Sequence, residues 1–401
     1  MRIALLPDDY LPDSTLVHAK MFHELALEFI ARGHEVVVIT PGEPSQPSRL
    51  IIDNIDGVEV WRFKNGQTRG VSKIKRAINE TMLSFNAWRA IKRKVESRPF
   101  DACINYSPTI FFGPLVKRLK DRCNCYSYLI LRDMFPQWVI DEGMIKEDSV
   151  IARYFRFFEK LNYDNSDCIG LMSEANVNYF NELYPDYNNL KILRNWADTK
   201  PLGRDLVGSN IRESLGLSNK IIFFYGGNIG HAQDMSNLLR LAQSMKAIPE
   251  AHFLFVGQGD EVDLVLSKKE EWGLDNLTFL PSVSQSEYRE LLTQVDVGLF
   301  SLSRNHKAHN FPGKLLGYMV ESLPILGSVN PGNDLIQFIN DESAGFAYVN
   351  GEDDSLLNAA IMLLKNKSLR QNLGSSAHQV LHKHFSVQSA VSHLIDEINK
   401  R

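Results

Sequence analysis

The sequence predicts an α/β protein made of two doubly wound parallel-sheet domains. Three observations predict it. Short apolar or β-branched runs alternate with longer segments of helical periodicity in both halves of the chain. The alternation loosens once, between Asn195 and Asn219, into Pro, Gly, Asp and Ser, which reads as a linker. The length, 401 residues, favours two or three domains over one. The expected boundaries are 1–197 for the first domain and 198–384 for the second, with a last helix at about 385–401 crossing back to the first. Such sheets bind ligands at the carboxyl ends of their strands, so the two domains would face each other across a cleft.

In the first half a buried strand is expected over 3–6. A helix capped by Ser14 then runs to about Arg32, with Leu16, Phe22, Leu25, Ala26 and Phe29 on its apolar face. Gly33 ends it, and the β-branched run 36–39 is a second parallel strand. Further strands are expected over 58–63, 102–105, 126–131 and 169–172. Helices are expected over 73–95, 110–122, 151–162 and 174–183. The second half repeats the scheme, with strands over 221–225, 252–256, 277–279, 297–300, 325–326 and 346–348. Helices fall over 236–245, 262–272, 287–293 and 315–320, after Asn333, and over 387–400.

Composition narrows the function classes. The chain is 44% hydrophobic and 23% charged, as an ordinary globular protein with full cores would be. A net charge of −4 argues against a general nucleic-acid binder, so no nucleic-acid partner is expected. The four cysteines show no zinc-ligand spacing and read as reduced thiols of a cytoplasmic protein. The N-terminus is too quickly polar for a signal peptide, and no run nears the roughly 18 apolar residues that span a bilayer.

The most informative stretch is 310–326. A Pro-Gly turn delivers Lys314 to the start of an apolar helix beginning at Leu315, an arrangement that suits an anion. Just before it, Arg304, His306, Lys307 and His309 gather positive charge fit for a diphosphate; a solvated loop is the plainer reading. Upstream, the strand at 221–225 runs into Gly226, Gly227, Asn228 and Gly230. Glycines there let backbone approach a phosphate, although a tight strand-to-helix connection would use them too. Gly257 and Gly259 end another strand, and Pro281 follows a third; either pair is equally a turn.

In the first half, Arg132 and Asp133 follow a strand end. Asp133 is a candidate general base or substrate-hydroxyl ligand; a structural ion pair with Arg132 is the alternative. Asp8 and Asp9 hold the same position after the first strand, where turn capping competes with catalysis. Between Trp61 and Lys94 lie ten Lys or Arg against one acid, Glu80, and Ile74, Ile78, Met82, Phe85, Trp88 and Val95 recur at near-helical spacing. This segment, 62–94, reads as a basic amphipathic surface for an anionic membrane, or as a helix packed on its own domain.

The chain resembles bacterial glycosyltransferases of the large family 4-like group, and more narrowly the N-acetyl-L-fucosamine transferases of O-antigen and capsule assembly. Besides 310–326, the resemblance rests on Ala31 to Val36, on Arg132-Asp133-Met134-Phe135-Pro136, on Asn195-Trp196-Ala197-Asp198 and on Tyr225 to Gly230. It implies the GT-B fold, two facing Rossmann-like domains with a cleft between them. The implied donor is a UDP-linked N-acetylamino sugar held by the second domain. Gly226, Gly227, Asn228, Gly257, Arg304, His309, Lys314 and Leu315 would line the diphosphate and ribose, and Pro281 the uracil. No metal and no further cofactor is implied. The implied acceptor is an N-acetylglucosamine on undecaprenyl diphosphate, which places the protein on the inner face of the plasma membrane.

The chain also departs from that pattern. The family's two glutamates would fall at His309 and Gly317, leaving Glu321, one helical turn on, to accept the ribose hydroxyls. The cations flanking its phosphate loop would fall at Gly227 and Gln233, and Asp8 and Asp9 replace its first glycine pair. The family is retaining, but an α-L product from a β-L donor is inversion. Inversion needs a base, for which Asp133 and Asp9 are the expected candidates. A nucleotide-sugar epimerase and a non-catalytic binding protein are the competing readings.

Overall fold

The computed structural model describes residues 1–400 except 13, 15, 69, 108, 142, 197, 198, 203–209 and 306–310. The chain divides into two compact units, Met1–Trp196 with Val387–Arg401, and Ala197–Ser386.

The first unit begins with β1 (Arg2–Leu6), α1 (Val17–Ala31), β2 (Glu35–Gly42), β3 (Leu50–Ile55), β4 (Val58–Lys64), α2 (Lys73–Thr81) and α3 (Leu83–Ser97). It continues through β5 (Ala102–Ser107), α4 (Gly113–Cys123), β6 (Tyr126–Leu131), α5 (Gln137–Asp141) and α6 (Val150–Asp164). It ends in β7 (Cys168–Leu171), α7 (Glu174–Leu183) and β8 (Leu190–Ile192). Its 8-stranded sheet has the order β3-β4-β2-β1-β5-β6-β7-β8. All pairings are parallel except β3 with β4, an antiparallel hairpin turned at Asp56 and Gly57. The sequence reading missed β3, an edge strand with alternating exposure rather than a buried run.

The second unit opens with α8 (Ile211–Ser214), β9 (Ile221–Asn228), α9 (Met235–Ser244), β10 (Ala251–Gln258), α10 (Val262–Glu271), β11 (Leu277–Leu280) and α11 (Gln285–Leu292). Then follow β12 (Val297–Ser301), α12 (Lys314–Val320), β13 (Ile325–Val329), α13 (Leu335–Asp341), β14 (Gly345–Val349), α14 (Asp353–Lys365) and α15 (Lys367–Val380). The 6-stranded sheet, β11-β10-β9-β12-β13-β14, is parallel throughout. Alternate residues of β9 serve opposite faces, Phe224 in one core and Phe223 with Tyr225 in the other, as a sheet covered on both sides requires.

The last helix, α16 (Val387–Asn399), belongs to the first unit. Arg32, the C-cap of α1, donates to Ser392 Oγ and Gln388 O, both at 2.8 Å, and Tyr128 meets His393 Nε2 at 2.9 Å.

Two local expectations change. Ser14 does not cap α1. Leu16 occupies that position, and the Ser14 hydroxyl donates to Asp9 Oδ2 at 2.9 Å while accepting the Leu16 N–H at 3.2 Å. The long helix expected over 73–95 breaks at Met82 into α2 and α3. Val95 and Ile91 pack into the core, whereas α2 buries no residue. Among the described residues no helix is long and apolar enough to cross a membrane.

Candidate active site

The strongest constellation lies at the carboxyl ends of β9, β10 and β12 in the second unit, where parallel sheets bind ligands. Lys314 is the first residue of α12, placed by the Pro-Gly turn that the sequence displays. Its Nζ stands 3.4 Å from the centroid of the Tyr225 ring and has no hydrogen-bond partner among the described residues. Burial alone pushes its pKa well below that of an ordinary lysine. A cation held dry and unpaired over an aromatic face is a preformed anion receptor.

Gly227 forms the wall opposite that ammonium. A Cβ on it would lie 3.6 Å from Lys314 Cε and 3.7 Å from Nζ, and its φ of 119° favours glycine. Gly257 pairs with Gly227 across β10 and β9, and a Cβ there would sit 1.9 Å from the Gly227 carbonyl oxygen. Gly257 therefore permits the two strand ends to close. Gly226 is held from below: its N–H donates to the Tyr318 hydroxyl at 3.3 Å, and that hydroxyl donates to Leu299 O at 3.0 Å. β9 continues through Gly226 and Gly227 to Asn228, beyond the expected end at Tyr225, because the glycine pair stays extended beside β10. Asn228 is exposed and donates to Gln233 Oε1 at 2.7 Å. Pro281 is exposed just beyond β11, and its neighbour Ser282 donates to Gln258 Oε1 at 3.1 Å, tying that loop to the end of β10.

Three expected donor residues stand apart. Leu315 is fully buried in the hydrophobic core, and its N–H donates to Pro312 O at 3.0 Å, so its side chain is structural. Glu321 lies at the far end of α12, about 10 Å along the axis from Lys314. Its carboxylate accepts the Leu202 N–H at 2.8 Å, and burial raises its pKa against that bond. It does not join the Lys314 group, because the helix ends at Val320 before it. Arg304 is exposed and donates to Asn350 O at 3.3 Å, which anchors it near the end of β14. His309, with His306 and Lys307, lies outside the described residues. Sequence reasoning missed Tyr225 and Tyr318 as supports of the site, since aromatics at strand and helix positions read simply as core.

In the first unit, Arg132 and Asp133 directly follow β6. No ion pair joins them among the described residues. Arg132 Nε and Nη1 are sealed from solvent without a partner among the described residues, and burial pulls the guanidinium pKa down to about 10. The Asp133 residue is exposed, yet crowding about its carboxyl raises its pKa, with the Arg132 charge pulling the other way. Asp9 serves the turn. Its Oδ1 accepts the Tyr10 N–H at 2.9 Å and its Oδ2 the Ser14 hydroxyl at 2.9 Å, the turn capping that the sequence offered beside the catalytic reading. Among the described residues no group of three or more His, Cys, Asp or Glu could hold a metal.

Known proteins share the families and the fold. Residues 18–196 match the glycosyl transferase 4-like domain family, and residues 208–380 match the glycosyl transferases group 1 family. The chain is 28% identical over 222 residues to WbjE of Pseudomonas aeruginosa, described as a probable glycosyltransferase. That match covers 54% of each protein, so it spans about half the length of this relative. WcaI of Escherichia coli (strain K12), whose name assigns it as a glycosyl transferase to colanic acid biosynthesis, is 25% identical over 329 residues, 79% of this chain and 80% of the relative. Among solved structures, sucrose-phosphate synthase from Thermosynechococcus elongatus aligns with a TM-score of 0.69 at 16% identity, covering 100% of this chain and 98% of that one. Anabaena HepE in complex with UDP aligns at 0.67 and 14%, covering all of both chains. At these identities the structures show the fold alone, which is GT-B. The chain is therefore a glycosyltransferase, a 4-like domain followed by a group 1 domain.

Proposed function

We propose that the protein transfers N-acetyl-L-fucosamine, or a related N-acetylamino sugar, from a UDP donor to an N-acetylglucosamine on undecaprenyl diphosphate, in O-antigen or related surface-polysaccharide assembly. The observation that carries the donor half is Lys314 Nζ, buried beside Gly227 and without a hydrogen-bond partner among the described residues. A diphosphate supplies the anion this site lacks. Solved neighbours described with UDP and UDP-glucose support the nucleotide. WcaI and WaaG, a glycosyltransferase involved in lipopolysaccharide biosynthesis, support the polysaccharide setting. The amino sugar rests on the run from Arg132 to Pro136.

Lys314 then acts mainly on the leaving group. As the anomeric C–O bond breaks, charge accumulates on the departing UDP, and a preformed cation stabilises it without reorganisation. Asp133 serves as a ligand of an acceptor hydroxyl. For the lipid acceptor, α2 is the proposed contact with the inner face of the plasma membrane. Ile74 is 77% exposed and Ile78 58%, set among Lys73, Lys75 and Arg76. The exposed Val150 and Phe157 of α6 extend that face, and Thr81 Oγ1 touches the Tyr154 hydroxyl between the two helices.

The test is UDP release with UDP-N-acetyl-L-fucosamine and a short-chain diphosphate-linked N-acetylglucosamine, followed by NMR of the new anomeric carbon. Transfer is expected. Absence of release with a panel of UDP sugars would reject the reading in favour of a binding protein.

A further inference from the structure

We propose that a basic pocket beside α2, at the open end of the β3–β4 hairpin, binds the phosphate of a lipid head group. The proposal deepens the lipid-acceptor reading, on which the source of that phosphate rests, and it needs the first unit alone.

The pocket measures about 300 Å³, and its charged lining is Arg49, Lys64 and Arg89. That size is near the low end for a small-molecule site and suits a head-group-sized anion. No carboxylate lines it, and among the described residues none of the three cations pairs with an acid.

Lys64 ends β4, and Arg49 directly precedes β3. They stand opposite each other, one step beyond the Leu50–Phe63 pair, and the Lys64 N–H donates to Arg49 O at 2.9 Å. Like charges facing each other across a hairpin repel. Arg89 comes from α3, its guanidinium 5.3 Å from the centroid of the Phe85 ring, and shares a helix face with Asn86. Sheet and helix thus bring three positive charges to one concavity with no carboxylate in its lining. A concavity of one sign concentrates counter-ions, and arginine matches phosphate with paired hydrogen bonds. Lys64 is also the carboxyl end of its strand, the side on which parallel sheets take ligands.

Hydrogen bonds fix both walls. Lys64 Nζ donates to Gln46 O at 2.8 Å. The buried Gln46 amide donates to Ser48 O at 2.9 Å and Arg62 O at 3.1 Å, which ties the loop before β3 to the end of β4. On the other side Asn86 donates to Asn65 Oδ1 at 2.9 Å, and the buried Asn65 amide donates to Asn79 O of α2 at 3.3 Å. A Cβ on Gly66 would lie 2.3 Å from Asn79 Cγ, so the glycine lets α2 lie against this edge of the pocket. Asn79 follows the exposed Ile78, so the pocket adjoins the helix proposed to meet the bilayer.

The acceptor's diphosphate and an anionic phospholipid share this chemistry, and the test separates them. Inorganic pyrophosphate is titrated by calorimetry into the full chain carrying Lys314→Met, with and without Arg49→Gln plus Arg89→Gln. The two glutamines should weaken binding roughly 10-fold or more and leave the melting temperature no lower, and the binding they remove should fade with added salt. A matching loss of affinity for short-chain diphosphate-linked N-acetylglucosamine, measured without donor, identifies the acceptor as the source. Lost sedimentation with phosphatidylglycerol vesicles at unchanged acceptor affinity identifies the phospholipid. Weaker pyrophosphate binding with neither change overturns the lipid source and leaves a site for soluble phosphate. Equal pyrophosphate affinity with and without the glutamines, or binding by neither protein, overturns the pocket. If the double glutamine variant fails to fold, Arg89→Gln alone is read the same way, since that guanidinium has no hydrogen-bond partner among the described residues. A wild-type enzyme that transfers from no UDP sugar brings down the transfer reading and leaves the pyrophosphate result standing.

Discussion

The ammonium of Lys314 lies 3.4 Å above the ring of Tyr225, two side chains brought together from the start of α12 and from within β9. The ring face supplies partial negative charge, which makes a dry lysine tolerable, but it does not replace a hydrogen-bonding anion. The remaining deficit is what a diphosphate would satisfy.

That deficit makes UDP binding sensitive to pH. The folded pKa of Lys314 is depressed by burial, so the unliganded protein binds fewer protons there than the unfolded chain. Stability of the free protein should therefore rise with pH, from the depressed value up to the ordinary lysine value of about 10.4. UDP favours the charged form, so its affinity should be full below the depressed pKa and fall as pH climbs through it. Calorimetry in buffers of different ionisation enthalpy should show proton uptake on binding within that window. Binding without proton uptake would contradict the assignment.

Gly257 should tolerate no side chain. Its Cβ would meet the Gly227 carbonyl at 1.9 Å, and backbone atoms cannot step aside as a flexible side chain can. Gly257→Ala should cost about 1–3 kcal/mol of stability, as overpacking does, and weaken UDP binding by moving Gly227. Denaturant melts with and without UDP check both effects. Gly33→Ala, at a position with open space around it but a φ of 79°, separates local backbone strain from damage to the site.

The α2 helix should be separable from the fold. Because it buries nothing, Ile74→Asp combined with Ile78→Asp should leave the melting temperature unchanged. The same variant should lose sedimentation with vesicles rich in anionic lipid, whereas neutral vesicles should bind neither protein. Equal sedimentation of variant and wild type would exclude α2 as the contact.

The sequence displays most of this architecture because parallel strands buried on both faces carry unbroken apolar runs, as from Ile3 to Leu6 in β1 and from Ile221 to Tyr225 in β9. It also displays Lys314, whose Pro-Gly turn is punctuation any reader can see. Elements decided by long-range contact are less legible. β3 exists because it pairs with β4, and the break at Met82 leaves no mark in a continuous helical period. Glu321 looks suitable by spacing, but α12 ends at Val320 and its carboxylate accepts the Leu202 N–H.

The most direct test of the central claim is a calorimetric UDP titration of the wild type and of Lys314→Met. The methionine keeps most of the side-chain volume over Tyr225 and removes the charge. Losing one charged hydrogen bond to phosphate, worth about 1.5–3 kcal/mol, predicts roughly 10- to 100-fold weaker binding. The unliganded variant should be no less stable than the wild type, since the cost of burying that ammonium is gone. Equal UDP affinity in the two proteins would contradict Lys314 as the diphosphate receptor.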